Sequence, residues 1–281
     1  MCGVEPPPGA AIRHSGDVRN TGGPGPAPSR GPAEPEPVTD RPLRPVRRTL
    51  LGQSWLDLTF LHWAVDPEVV AGRGLLPRGV QPDVYEGATY VGLIAFRMHR
   101  IGWLGLPGVP YLGSFPETNV RLYSVDDAGR RGVVFRSLEA SRLLPVLVAR
   151  LGFELPYMWA GMSVHRTGEV IEYAGSRRWP RPRADPGSGG TASRISVRIG
   201  EPIEEPSALE HFLTARWGLH NDWHGRALYL PNAHPPWRLH RAELLQLEEN
   251  LIAAAGLPAP VGAPVSVLFS PGVPVRFGPP A

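Results

Sequence analysis

From Glu117 to Tyr123 the chain alternates strictly. As an extended strand, it would place Glu117, Asn119, Arg121 and Tyr123 on one face and Thr118, Val120 and Leu122 on the other. The apolar run Thr89–Met98 predicts a more deeply buried strand before it. After it, Asp126-Asp127-Ala128-Gly129 is turn chemistry, and Val133–Glu139 returns as the second arm of an antiparallel hairpin. Leu51–Trp63, Ser193–Gly200, Val265–Phe269 and Val273–Phe277 read as further strands. Tyr157–His165 with Glu169–Ser176 forms a second hairpin, and Leu219–Leu230 a third that turns at Trp223-His224-Gly225. Helical signals are fewer. Pro67–Leu75 reads as a short helix, and Ala140–Phe153 carries Leu143, Leu144, Leu147 and Leu151 at helical spacing. Ser207 and Glu210 form a capping box that opens a helix running to Trp217. The best-marked helix is Leu239–Ala255, with Leu244, Leu247, Leu251 and Ala254 on one stripe, Gly256 as C-cap and Pro258 beyond it.

The connecting stretches Gly102–Gly113 and Pro180–Gly190 are rich in Gly and Pro and predict loops. Strands outnumber helices and show no βαβ alternation. The expected fold class is therefore α+β: a curved, mostly antiparallel sheet or barrel with a few flanking helices. Residues 1–48 hold 11 Pro and seven Gly with almost no apolar period, so they are expected to be a disordered tail. Order should begin near Thr49–Leu51, leaving 49–281 as a single domain.

Composition narrows the function. All 29 basic residues are arginine; the chain contains no lysine. The pI near 9.3 invites a nucleic-acid reading. However, seven of the 29 arginines and five of the 26 acids lie in residues 1–48, leaving 22 against 21 over the rest. A nearly neutral domain does not present the basic face that nucleic acid requires. The lone Cys2 supports neither a disulfide framework nor a cysteine zinc site. With no apolar leader and no membrane-length apolar run, a cytoplasmic location is expected.

Candidate chemistry gathers on the alternating strand. An arginine fork suits a carboxylate or phosphate, so Asn119 and Arg121 are substrate-binding candidates and Glu117 a proton-transfer group. An exposed strand face carrying a Glu–Arg pair is the plainer alternative. His62, between Leu61 and Trp63, is a second catalytic candidate or else a core histidine. Arg97 is a binding candidate with Glu117 as its partner if buried, or a rim residue if not. Five of the nine histidines lie at 211, 220, 224, 234 and 240, but in turn contexts without metal-ligand spacing, so no metal site or other cofactor is expected. In His234-Pro235-Pro236-Trp237 the prolines hold His234 and Trp237 in fixed directions, at a cavity mouth or in packing. No GxSxG, GxGxxG or Walker sequence occurs.

The runs LTFLHW, EGATYVGLIAFRM, FPETNVRLY, EHFLTARWGL, HPPWRL and SPGVPVRFG together resemble the uncharacterised YqjF-like family, over about Thr49 to Gly278. That family is similar to the acetoacetate decarboxylase-like superfamily. The resemblance implies a curved barrel enclosing a small-molecule cavity, with Glu117, Asn119 and Arg121 on its wall. One departure is decisive. A Schiff-base decarboxylase needs a side-chain amine, and this chain has none.

Two functional classes follow. One is a lysine-independent enzyme of lyase or isomerase type acting on a small carboxylate or carbonyl metabolite. The other is a non-catalytic binding or sensing module using the same residues. A third reading makes the tail a Pro-rich ligand for a partner protein. The partner expected of the domain is a small molecule, without nucleic acid or membrane; a homo-oligomer stays open.

Overall fold

The computed structural model describes residues 1–3, 33–104, 113–143, 146, 147, 150, 154–180 and 190–281. By its contacts the chain divides into Met1–Gly31 and Pro32–Ala281, and the fold described is that of the second unit. Residues 4–32 of the expected tail, 105–112 and 181–189 of the expected loops, and part of the Ala140–Phe153 helix lie outside the described residues. Leu143, Val146, Leu147 and Arg150 of that helix are helical.

Among the described residues twelve strands form one sheet. In chain order they are β1 (Leu51–Val65), β2 (Val80–Pro82), β3 (Thr89–Trp103), β4 (Phe115–Asp126), β5 (Arg131–Ala140), β6 (Tyr157–Thr167), β7 (Val170–Trp179), β8 (Ala192–Pro202), β9 (Gly218–Trp223), β10 (Arg226–Ala233), β11 (His240–Glu249) and β12 (Ser266–Phe277). Three short helices lie wholly among the described residues: α1 (Pro67–Gly72), α2 (Ala208–Thr214) and α3 (Leu251–Ala254). The order β5-β6-β7-β8-β11-β12-β1-β3-β4 closes where β4 pairs with β5, giving a nine-stranded barrel. The pairings are antiparallel except β5–β6 and β5–β9. The hairpin β9–β10 bridges from β5 to β12 and closes a second, smaller ring over β12, β1, β3, β4 and β5. This is the α+β, mostly antiparallel architecture expected from the sequence.

Strand alternation gives the sheet two buried faces. Leu61, Val91, Leu93, Val120 and Leu122 pack with Phe269 of neighbouring β12 and with Ile171, Ile195 and Val197 from the opposite wall, filling the nine-stranded barrel. The intervening residues Leu58, Phe60, Ile94, Phe96 and Met98 face the second ring. A sheet wrapped on both sides must be apolar on both, which is why the Thr89–Met98 run is nearly continuous.

Three expectations need correction. Leu239–Ala255 is not one helix: His240–Glu249 is β11 and only Leu251–Ala254 is helical. The ladder with β8 slips between Leu244 and Gln246. That bulge adds one residue, so Leu244 and Leu247 both face the core while Leu245 is exposed. The resulting three-residue spacing imitates a helical stripe. The two C-terminal strands are one, β12, which bends at Gly272 (φ 122°), where a Cβ would stand 2.0 Å from the Trp55 carbonyl oxygen. Finally, 33–48 belongs to the domain. The Ala33 and Glu36 amides donate to the Asp127 and Gly129 carbonyls at 2.9 and 2.8 Å, the Thr39 carbonyl accepts from Trp217 Nε1 at 3.1 Å, and Val46 is buried. The boundary drawn at residue 48 sits too late. Ser207 and Glu210 do form the capping box, and α2 stops at Thr214, short of Trp217. Among the described residues no helix is long and apolar enough to cross a membrane, which says nothing of strands.

Candidate functional site

The second ring encloses a cavity of about 160 Å³. An apolar cavity of about 150 Å³ is large enough to admit benzene. β4 supplies its polar wall. The strand is regular against β3 from Phe115 to Leu122, so Glu117, Asn119 and Arg121 all point into the cavity while Val120 and Leu122 enter the barrel core. The other walls are mostly apolar, with Trp55, Leu58 and Phe60 from β1, Ile94, Phe96 and Met98 from β3, and Phe135 and Leu138 from β5; Gln53 of β1 and Tyr157 of β6 add polar groups. Leu219, Leu230, Trp237 and Phe277 complete the enclosure. Trp103 and Pro280 border the cavity and are exposed, marking where it reaches the surface.

Glu117 is 2% exposed. Burial penalises its charged form and lifts its pKa to about 7, while hydrogen bonds from Tyr157 and Asn119 pull the other way. The Tyr157 hydroxyl donates to Glu117 Oε2 at 3.0 Å, and burial, together with the nearby Glu117, holds that phenol well above its ordinary pKa. Asn119 Oδ1 is buried and has no hydrogen-bond partner among the described residues.

Arg121 lies at the other end. Its Nε and Nη2 donate to the Tyr123 hydroxyl at 3.2 and 3.0 Å, and Nη2 also donates to the Leu213 carbonyl at 3.1 Å. The guanidinium stands 5.7 Å from the centre of the Phe60 ring. A glycine makes room for it: Gly92 pairs with Arg121 across β3–β4, and a Cβ there would stand 3.2 Å from Arg121 Cγ. Arg121 is 8% exposed, yet no carboxylate lies within ion-pairing distance among the described residues. The buried Asp83 is shared by Arg131 and Arg216. Arg216 is fully buried, which lowers its pKa despite Asp83.

The remaining sequence candidates separate. His62 is fully buried on the same face of β1 as Phe60, its Nε2 2.7 Å from the Tyr123 hydroxyl. Burial, then the charges of Arg121 and Arg216, hold it well below the usual histidine pKa. It holds Tyr123 and is not among the residues that line the cavity. Arg97 must be corrected: it projects from the opposite face of β3 to Phe96 and Met98, pairs with Asp57 rather than Glu117, and leaves half its side chain exposed at the barrel rim. Trp237 lines the cavity, its Nε1 donating to the Thr214 carbonyl at 2.9 Å. His234 sits behind it, between Trp217 and Trp237 with ring centres 4.5 and 4.7 Å away. There burial lowers its pKa to about 4. The other clustered histidines disperse: His220 contacts Ser124 and Asp126, His224 pairs with Glu154, and His240 contacts the Gly200 carbonyl. Among the described residues no group of three or more His, Cys, Asp or Glu is placed to hold a metal ion. Tyr157 was missed, because the first residue of a strand carries no periodic signal and its partner is 40 positions away.

The chain matches the DUF2071 family of uncharacterized conserved proteins over residues 52–274. It is 31% identical over 218 residues to the uncharacterized protein YqjF of Bacillus subtilis strain 168, covering 77% of this chain and 86% of that protein. Solved structures share the fold at low identity. The enduracididine biosynthesis enzyme MppR, complexed with pyruvate, superposes with a TM-score of 0.53 at 15% identity, covering 90% of this chain and 98% of that one. An acetoacetate decarboxylase-like enzyme from Sphingomonas wittichii RW1 gives 0.54 at 14% identity, with coverages of 83% and 92%. Acetoacetate decarboxylase from Legionella pneumophila gives 0.52 at 14%, with 88% and 91%. The chain therefore belongs to the YqjF-like DUF2071 family and carries it on an acetoacetate decarboxylase-like fold.

Proposed function

We propose that the cavity binds a small carboxylate or carbonyl metabolite through Arg121 and that Glu117 transfers a proton to or from it, in a reaction of lyase or isomerase type. One observation carries this reading: a buried guanidinium on a cavity wall with no carboxylate partner among the described residues. Burying an unpaired charge is expensive. An anionic ligand would supply the missing partner. Glu117 supports the catalytic part, since a carboxyl group with a pKa of about 7 can act as either acid or base near neutral pH. Asn119 would orient the ligand's polar group. MppR was solved with pyruvate, which makes short oxo acids the first probes. The mechanism differs from Schiff-base decarboxylation because no lysine exists to form the imine.

The test is a melting-temperature series with acetate, pyruvate and acetoacetate on the wild type and Arg121→Leu, followed by proton exchange in D2O into oxo acids of increasing chain length. Ligands that bind the native state raise its melting temperature. The expected result is a rise in the wild type, none in Arg121→Leu, and, with an oxo acid long enough for its carbonyl end to reach Glu117, exchange that disappears in Glu117→Gln. Binding without exchange would make the protein a binding module. If no carboxylate raises the melting temperature, the assignment of Arg121 is wrong.

A further inference from the structure

Glu117 and Arg121 sit four residues apart on an unbroken strand, so their Cα atoms are about 13 Å apart. The side chains do not bend toward each other. Arg121 tilts onward to Tyr123 and Leu213, across the notch at Gly92. Glu117 is held from the side by Tyr157, and no ion pair links the two. The polar groups therefore form two stations at opposite ends of one apolar chamber, with the unpartnered Asn119 Oδ1 between them.

A general acid or base must come within about 3 Å of its proton. An acid seated on Arg121 keeps its α-carbon within a bond or two of the guanidinium, out of reach of Glu117. The span between the stations is lined by Phe60, Ile94, Phe135 and Leu138, which offer no polar group to a short, hydrated metabolite. Resting on the carboxylate reading above, we infer that the substrate is an elongated, apolar-bodied monocarboxylate. Its carbonyl or hydroxyl function lies at least about three carbons from the carboxylate and meets Glu117 and Tyr157, while the carboxylate meets Arg121.

A series of methyl-ketone acids tests this: pyruvate, acetoacetate, levulinate, 5-oxohexanoate and 6-oxoheptanoate, each titrated calorimetrically into the full chain. Each added methylene should tighten binding about fourfold, so 6-oxoheptanoate, four methylenes longer, should bind roughly 250-fold tighter than pyruvate. Tyr157→Phe should weaken 6-oxoheptanoate about tenfold and leave pyruvate unchanged. Arg121→Leu should weaken both, and Arg121→Lys serves if the leucine variant does not fold. Arg121-dependent binding that is flat or tightest for pyruvate overturns the two-station inference and leaves the carboxylate reading standing. Binding of no acid, or binding indifferent to Arg121, removes both.

Discussion

Tyr157 and Glu117, 40 residues apart in the chain, meet at 3.0 Å across β4, β5 and β6. The phenol donates to the carboxyl group and so favours its charged form, against the burial that favours the neutral one. Tyr157→Phe should therefore raise the Glu117 pKa further above its present value near 7. Carbon-13 NMR of labelled glutamate carboxyls reads this directly. A downward movement would mean that the phenol is not the donor described.

The same burial links Glu117 to stability. Its native pKa of about 7 lies above the ordinary 4.5, so between those values the native state holds a proton that the unfolded chain has lost. Stability from this group is therefore highest below pH 4.5, falls as pH rises to about 7 and is flat above. The total change is on the order of 3 kcal/mol. His62 and His234 act in the opposite sense: their lowered pKa values cost stability as pH falls below 6.5. Subtracting the pH profile of Glu117→Gln from that of the wild type isolates the Glu117 contribution. A difference independent of pH would show that Glu117 is not buried as described.

Arg121 should be retained at a cost to stability. Replacing a buried, unpaired guanidinium with a hydrocarbon removes a desolvation penalty, so Arg121→Leu should stabilise the protein by about 1–3 kcal/mol while removing acid binding. Denaturant unfolding measures this, and a clear destabilisation would make Arg121 a structural residue.

Gly92→Ala should act on the same site from behind. The new methyl would meet Arg121 Cγ at 3.2 Å and His62 Cδ2 at 3.4 Å, so the guanidinium must shift by a few tenths of an ångström. The fold should survive and carboxylate affinity should fall about tenfold. Equal affinities for the two proteins would show that the notch does not position Arg121.

Asp83 tests the polar cluster on the far side of Tyr123. It is nearly inaccessible and pairs with both Arg131 and the buried Arg216. Asp83→Asn leaves Arg216 buried without its counter-charge and should cost about 3–5 kcal/mol. Glu243→Gln, which breaks the exposed pair with Arg198, should cost less than about 1 kcal/mol. Similar melting temperatures for the two variants would contradict the burial of this cluster.

Much of this was readable from residue order alone. Alternation along Glu117–Tyr123 put three polar side chains on one face, because strand geometry repeats every two residues whatever surrounds it. The capping box at Ser207, the turns at Asp126 and His224, and the absence of any side-chain amine are equally local. Tertiary structure decided what those side chains face: the polar side of β4 opens into the second ring, not the filled barrel. It also brought Tyr157 to Glu117, sent Arg97 to the rim, and left Arg121 without an acid among the described residues. Leu244 and Leu247 show the same division. Their spacing fits a helix, and only pairing with β8 reveals the bulge that makes a strand fit it too. Local periodicity follows from backbone geometry, whereas partners depend on registers between strands far apart in sequence, and those registers exist only once the sheet has closed.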